Sequence, residues 1–343
     1  MHKCRLSDYD YHLPEELIAQ EPLALRDQSR MLVLNRSEEQ IEHRFFSELP
    51  AFLKQGDLLV LNNTKVIPAR LIGRIEGKTT GAEILLLHKQ DDANWIAMVK
   101  PGRKLKPGKR VIFEGIAEAV VEDYYKEDLR LVSFRADRPI EELLPKIGKV
   151  PLPPYIKKEV ETSDQYQTIY AEKAGSAAAP TAGFHFTAKV FEALEARGVK
   201  TAFITLHIGP GTFQPVKTED IRDHKMHSEF YSIDQNTADT INRAREENQR
   251  VVAVGTTVCR VLETVASQTG LVKEQAGWTD LYIYPGYNFR LVEAMLTNFH
   301  LPRSTLLMLI SSFGGYDRVM RAYQEAVKKG YRFYSFGDCM LII

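Results

Sequence analysis

The 343-residue sequence holds only three cysteines, Cys4, Cys259 and Cys339, far apart and with no Cys-x-x-Cys pair. That excludes a disulfide framework and a thiolate zinc site, and it suits a reducing compartment. A lone cysteine nucleophile stays open, although such residues more often serve as small buried apolar groups. Long apolar runs are missing too. The longest, around 306–310, falls far short of the roughly 20 residues that span a bilayer. No apolar signal core follows Met1, so a cytoplasmic protein without membrane contact is expected. Net charge is also absent: 45 Lys and Arg balance 45 Asp and Glu, so composition does not announce a nucleic-acid binder. Hydrophobic residues at 44% and charged residues at 26% argue against disorder, and the length allows two domains.

The charge is less even than its sum. Between Lys100 and Arg110, six of eleven residues are basic: Lys100, Arg103, Lys104, Lys106, Lys109 and Arg110. Lys146, Lys149, Lys157 and Lys158 form a second group among Pro151, Pro153 and Pro154. Phosphate binding needs such patches. A pair of solvated loops explains them equally well.

From Gly56 to Ala136 short strands alternate with turns, at 58–61, 67–75, 83–87, 95–99, 110–113, 117–124 and 129–134. That spacing predicts a small antiparallel barrel or sandwich. Beyond the proline-rich linker, helix and strand alternate. Thr187 and Asp234 are positioned to cap helices, and strand 251–254 is apolar throughout, as a strand covered on both faces should be. It feeds Gly255 and a helix with Val258, Val261, Leu262 and Val265 on one face. A strand at 281–284, a helix near 289–296, an apolar helix at 305–313, a helix capped by Asp317 and a strand at 333–336 complete the reading. The fold class expected is α/β: a layered α/β/α large domain, residues 1–57 and 152–343, carrying an inserted antiparallel barrel, residues 58–151.

Ligands of open α/β sheets bind beyond the carboxyl ends of strands. The run 175–183, Gly-Ser-Ala-Ala-Ala-Pro-Thr-Ala-Gly, ends at a helix start, where small side chains let a ligand reach backbone N–H groups. The turn at Gly209 and Gly211 lacks the full Gly-x-Gly-x-x-Gly spacing, and the basic loop misses the Walker pattern by one residue. His185, His207, His224, His227 and His300 crowd predicted strand ends. His224, His227 and Glu229 imitate metal ligands, but His-Glu-x-x-His is absent, so no metal is expected. Asp280 and Asp338 are the carboxylates best placed for a cleft, and Tyr282, Tyr284, Tyr287 and Phe289 suit a cation or a stacked base. These residues give a nucleotide-handling enzyme without naming its reaction.

At the same clusters the sequence resembles the S-adenosylmethionine:tRNA ribosyltransferase-isomerases of queuosine synthesis, nearly end to end. The matching blocks include Leu13-Pro14-Glu15, Arg26-Asp27 with Ser29-Arg30, and the stretch from Asn62-Asn63-Thr64-Lys65 to Arg70-Leu71. They continue through 151–156, 166–171, 179–187, 207–216, Met226-His227-Ser228-Glu229 and Gly255-Thr256-Thr257 with Arg260, and end with 279–287, 296–302 and 333–341. Departures are apolar swaps at Ala177, Phe184, Ile208 and Cys339, and Phe336 where a tyrosine is usual.

The resemblance implies that S-adenosylmethionine is consumed as co-substrate, with no further cofactor. Its ribosyl unit passes to the aminomethyl group of a 7-deazaguanine (preQ1) at the tRNA wobble position, and adenine and methionine leave. It also implies His185, His207, His227, Glu229, Asp280 and His300 as the base, acid and donor contacts. Thr181, Ala182, Gly183, Gly209, Gly211, Thr212, Thr256, Tyr284 and Asn298 would approach the donor. Lys65, Arg70, Lys100, Arg103, Lys104, Lys106, Lys109 and Lys157 would hold tRNA phosphates. A monomer is expected. An S-adenosylmethionine-dependent RNA methyltransferase, a metal-dependent hydrolase and an RNA-binding module are the rivals.

Overall fold

The computed structural model describes residues 3–38, 40–125, 129–158, 163–209, 215–266 and 270–343. A nine-stranded mixed sheet forms the larger body. Its strands run, edge to edge, Gln275–Thr279, Glu229–Ile233, Lys200–His207, Leu58–Asn62, Val251–Val254, Ala294–Asn298, Cys339–Ile342, Arg30–Leu34 and Ile41–Phe45. The four from Lys200–His207 to Ala294–Asn298 are mutually parallel. Leu58–Asn62, Val251–Val254 and Ala294–Asn298 are buried along their whole length, as parallel strands covered on both faces must be. Helices Gln235–Glu246, Thr256–Val265, Thr305–Gly314 and Tyr316–Lys328 pack one face; Ala188–Ala196 and the 3-10 turns Phe46–Phe52 and Thr181–His185 pack the other.

Local chemistry sets the helix starts. The Thr187 hydroxyl accepts from Val190 N at 3.4 Å, and Asp234 accepts from Thr237 N at 2.8 Å, both satisfying otherwise orphaned donors. Helix Tyr316–Lys328 begins after Gly315, and Asp317 sits in its first turn instead of capping it.

The second body is a closed barrel of six antiparallel strands: Arg70–Ile75, Gly81–Lys89, Asn94–Lys100, Leu129–Arg135, Ala117–Tyr125 and Arg110–Phe113. The last pairs back to the first through Arg74–Ile112 and Ile75–Val111. Closure removes the exposed edges. Helix Ile140–Ile147 contributes Ile140, Leu143 and Leu144 to the barrel's core. The chain then returns through Gly148–Lys149, which pairs beside Arg70 and Leu71. A Cβ on Gly148 would meet the Pro68 carbonyl oxygen at 2.0 Å, so only glycine lets entry and exit strands lie this close.

Several sequence expectations change. Strand 58–61 belongs to the large sheet, between Lys200–His207 and Val251–Val254, so the barrel begins near Arg70 and not at residue 58. A continuous apolar run does not reveal which sheet will bury it. No strand forms at 281–284; the chain's strand there is Gln275–Thr279. The helix near 289–296 is replaced by strand Ala294–Asn298, and strand 333–336 by Cys339–Ile342.

Glu263 explains one of these changes. This buried carboxylate accepts from Arg290 N, Leu291 N and Val292 N at 2.8, 3.0 and 2.9 Å, and from the Tyr287 hydroxyl at 3.2 Å. Residues 290–292 find their hydrogen bonds there and need no helix. Glu263→Ala strands the buried N–H groups of Leu291 and Val292 and the part-buried one of Arg290. It should lower stability by about 3 kcal/mol or more, read as a shift of the urea midpoint; a loss under about 1 kcal/mol would show that the carboxylate does not organise this turn.

Candidate functional site

A cleft of about 700 Å³, its open mouth included, lies at the carboxyl ends of the parallel strands, where the strand order of α/β sheets places ligands. Three backbone corners form it: Ala179–Ala182, Gly255–Thr257 and Thr297–Leu301. Tyr155, Ile208, Ser304, Leu306, Tyr334 and Ser335 complete the wall. Gly255 turns the chain from strand to helix at φ 98° and donates to Leu296 O at 2.7 Å; that φ is open to glycine and strained for other residues. The first turns of Thr181–His185, Thr256–Val265 and Thr305–Gly314 all begin at the cleft, turning unpaired N–H groups toward it. No described lining residue carries a full charge except through protonation of His300.

His300 stands on the loop after strand Ala294–Asn298. Its Nε2 is 2.9 Å from the Thr297 hydroxyl, and Nδ1 has no protein partner among the described residues. The backbone is pinned from two sides, with His300 N donating to the Tyr323 hydroxyl at 2.8 Å and the Tyr11 hydroxyl donating to His300 O at 2.5 Å. Dense packing around all but the cleft-facing side lowers the imidazole pKa to about 3, so the ring is neutral at pH 7.

His185 is buried behind the cleft. Its Nδ1 lies 2.7 Å from Ser29 Oγ and its Nε2 3.2 Å from Asn298 Oδ1. Asn298 Nδ2 donates to Tyr334 O at 2.8 Å, so Oδ1 is the acceptor and His185 Nε2–H the donor. His185 thus holds Asn298 instead of facing the cleft. Burial lowers its pKa to about 4, against the raising effect of the Asn298 bond. His207 bonds Thr64 Oγ1 through Nδ1 at 2.8 Å and is also pushed to about 4, first by burial and then by His88. His227 is exposed in a second hollow of about 630 Å³ with His224, Lys217 and Thr218. This hollow meets the cleft along 304–306, since Thr305 lines the one and its neighbours Ser304 and Leu306 the other.

The carboxylates take other roles. Glu229 is buried, ion-paired to Arg260, and accepts from Gly209 N at 3.1 Å. Asp280 is exposed just past the outer edge strand and is not among the residues that line the cleft. Asp338 is buried and accepts from Arg30 N and Arg332 N at 2.9 and 2.8 Å, a structural clamp at the start of the last strand.

Of the expected donor contacts, Thr181, Ala182, Thr256 and Asn298 line the cleft. Gly183 sits one residue behind, under Tyr170, whose hydroxyl leaves no room for a Cβ. Gly209 is tied to Glu229, and Tyr284 packs against Tyr282 away from the lining. Gly211 and Thr212 lie outside the described residues. Sequence reasoning missed Tyr155, Thr297, Ser304 and Ser335. Thr297 adjoins Asn298 at a strand end and would have followed from placing that strand correctly; Tyr155 in the proline-rich linker carries no local signal.

Among the expected phosphate contacts, Lys100, Arg103, Lys104, Lys106 and Lys109 are exposed. They lie on and beside the loop between strands Asn94–Lys100 and Arg110–Phe113; Lys100 ends its strand opposite Glu83, and Arg110 O accepts from Glu76 N. Arg70 pairs with Glu83 at 2.8 Å and Lys157 with Glu15 at 3.8 Å. Lys65 is exposed on strand Thr64–Val66. Among the described residues no group of three or more His, Cys, Asp or Glu is placed to hold a metal, and no helix is long and apolar enough to cross a membrane.

Fold and site together define a class: an α/β enzyme with an inserted six-stranded barrel and a neutral, hydroxyl-rich cleft at the strand ends. The queuosine biosynthesis protein family matches residues 6–342, and the chain belongs to it. Proteins called S-adenosylmethionine:tRNA ribosyltransferase-isomerase are 49% identical in Desulfitobacterium hafniense and 52% in Symbiobacterium thermophilum, each match covering 99% of this chain and 100% of the relative. The crystal structure of an S-adenosylmethionine tRNA ribosyltransferase from Thermotoga maritima is 40% identical with a TM-score of 0.58, over 98% of this chain and 100% of that one.

Because His185 is neutral when folded and protonates near 6.5 when unfolded, the unfolded chain binds the extra proton as pH falls. Stability from this group is complete above about pH 6.5 and is lost down to about pH 4. Urea unfolding across that window should show a slope to which His185 contributes up to about 1.4 kcal/mol per pH unit. His185→Asn should flatten it. An unchanged slope would mean that the imidazole protonates in place.

Proposed function

We propose that the cleft transfers and isomerises the ribosyl group of S-adenosylmethionine onto the aminomethyl group of preQ1 in the tRNA anticodon, giving epoxyqueuosine, adenine and methionine. The observation that carries this reading is a carboxylate-free cleft that holds a neutral imidazole among three helix starts. The donor is consumed as co-substrate, and the setting is the cytoplasm, where tRNA resides; a monomer suffices for a cleft built from one chain.

The chemistry sets distinct demands. The sulfonium acidifies the C5′–H and leaves as a neutral thioether, so methionine needs no acid. A base must take the C5′ proton, adenine must receive a proton or a strong hydrogen bond as it departs, and the attacking amine must be neutral. His300 is the imidazole placed to act as base: in the tautomer whose Nε2–H donates to the Thr297 hydroxyl, the Nδ1 lone pair is left for the proton, and because burial makes the ring a weak base, the bound reactants must stabilise the imidazolium that forms. A cleft without carboxylates gives an ammonium no partner, which keeps the amine in its nucleophilic form. The sulfonium gains no ion pair either, so its conversion to a thioether relieves charge at the site. The helix starts at Thr181, Thr256 and Thr305 suit the donor's carboxylate. Tyr155 and Tyr334, whose rings lie 4.7 Å apart, offer an aromatic wall to a planar base.

Incubation with S-adenosylmethionine and preQ1-containing tRNA should release adenine and methionine in equal amounts, with full activity in a chelator. S-adenosylhomocysteine as product would indicate the methyltransferase, and loss of activity on chelation the hydrolase. His300→Ala should lower kcat by about 10²–10⁴, the usual range for a general base, and Asp280→Ala should leave it near wild type. The reverse pattern would overturn the assignment.

The exposed loop Arg103–Lys109 is the proposed contact for tRNA phosphates. Replacing Lys104 and Lys106 by Glu should weaken tRNA binding and reduce the slope of log Kd against log salt by roughly 0.7–0.9 for each phosphate no longer neutralised. An identical slope would remove this loop from the interface.

A further inference from the structure

A row of aromatic rings runs from beside the cleft to the edge of the large sheet, and the transfer chemistry above does not use it. His207 pairs with Phe230, and Phe230 with Trp278, on three adjacent strands. Directly opposed residues share a face of the sheet. His207 stacks on Phe230 at 6.0 Å and 19°, and Phe230 meets Trp278 edge-on at 5.8 Å. The row begins one residue before Ile208, which lines the cleft, and ends on the outermost strand, where Trp278 is 45% exposed. From the barrel, His88 closes on Phe230 and Trp278 at 4.7 and 4.9 Å. Burial holds the His88 pKa below its usual value, so at neutral pH it joins the cluster as an uncharged ring.

Single exposed apolar side chains need no explanation. A continuous row that links a cleft, a sheet edge and an inserted domain is a different matter. Aromatic rings set on a sheet are how proteins take up the splayed bases of single-stranded RNA loops. Positive charge stands alongside: Lys65 is exposed and has no ion-pair partner among the described residues, and its neighbour Thr64 bonds the His207 ring.

We propose that Trp278, flanked by Phe230 and His88, is the stacking site for an unpaired nucleobase of the RNA loop that carries the modified base. The proposal rests on the RNA-substrate reading above and adds a place where the loop is held outside the cleft.

The protein has two tryptophans, and Trp95 is buried in the barrel core, so Trp278 reports on itself. Titration with a short RNA hairpin bearing an unpaired loop, without donor, should quench its emission. A fully paired RNA of equal length should not. Trp278→Phe should lose the quenching and keep most of the affinity. Trp278→Ala should weaken hairpin binding and raise the KM for tRNA by about tenfold, with the KM for S-adenosylmethionine and kcat at saturating tRNA unchanged. Wild-type affinity in Trp278→Ala, equal quenching by paired RNA, or no hairpin binding by the wild type would each overturn the proposal. A wild-type protein that binds the hairpin through Trp278 but never releases adenine would instead overturn the reaction and leave the stacking site standing.

Discussion

The buried ion pair between Arg260 and Glu229 holds the outer third of the large sheet in relation to the cleft. Arg260 lies on the helix that starts at Gly255. Besides Glu229 it donates to Leu281 O at 3.0 Å and to Thr279 O at 3.3 Å. Glu229 in turn accepts from Gly209 N. One guanidinium therefore ties a central helix to the edge strand Gln275–Thr279 and to its neighbour Glu229–Ile233, and its partner ties them to the turn after strand Lys200–His207. Breaking such a pair leaves an uncompensated buried charge, which costs far more than an exposed bridge contributes. The same arrangement commits Glu229: with one oxygen on Arg260 and the other on a backbone N–H, it positions the turn.

A cleft stripped of carboxylates follows from this division of labour. Glu229, Glu263, Asp338 and Asp57 are all buried, and each is satisfied by backbone N–H groups or arginine. The acids hold the corners, and hydroxyls, an amide and an imidazole face the ligand. In a low-dielectric site the second set favours a neutral amine, where a carboxylate would favour the ammonium form. The two deeply placed imidazoles differ for the same reason. His185 has both nitrogens spent on Ser29 and Asn298, whereas His300 keeps one unspent.

The sequence was readable where periodicity and capping agreed. Val251–Val254 with Gly255 and the helix after it, the capped helices at Thr187 and Asp234, and the six barrel strands all follow from local pattern. It was misleading where tertiary partners decide. Leu58–Asn62 reads like any apolar strand, and only its neighbours reveal that it lies mid-sheet. Residues 290–298 have helical apolar spacing, yet Glu263, far back in the chain, claims the N–H groups of 290–292. The site shows the same split. Residue identities brought His300, Thr256 and Asn298 to notice, but nothing in the sequence separates a histidine that faces a cleft from His185 behind it or from Asp280 on the outer edge.

The barrel's position is the last consequence of these constraints. It is inserted between Leu58–Asn62 and Lys200–His207, two neighbouring parallel strands, and leaves the sheet through the short ribbon of Thr64–Val66 and Lys173–Ser176. Gly175 lets that ribbon pass over His207, where a Cβ would lie 2.8 Å from the ring. The long strand Gly81–Lys89 then carries His88 back onto Phe230 and Trp278. The domain is thus anchored at two separate places, its covalent junction at mid-sheet and an aromatic contact at the sheet edge, which together fix how it lies against the large sheet.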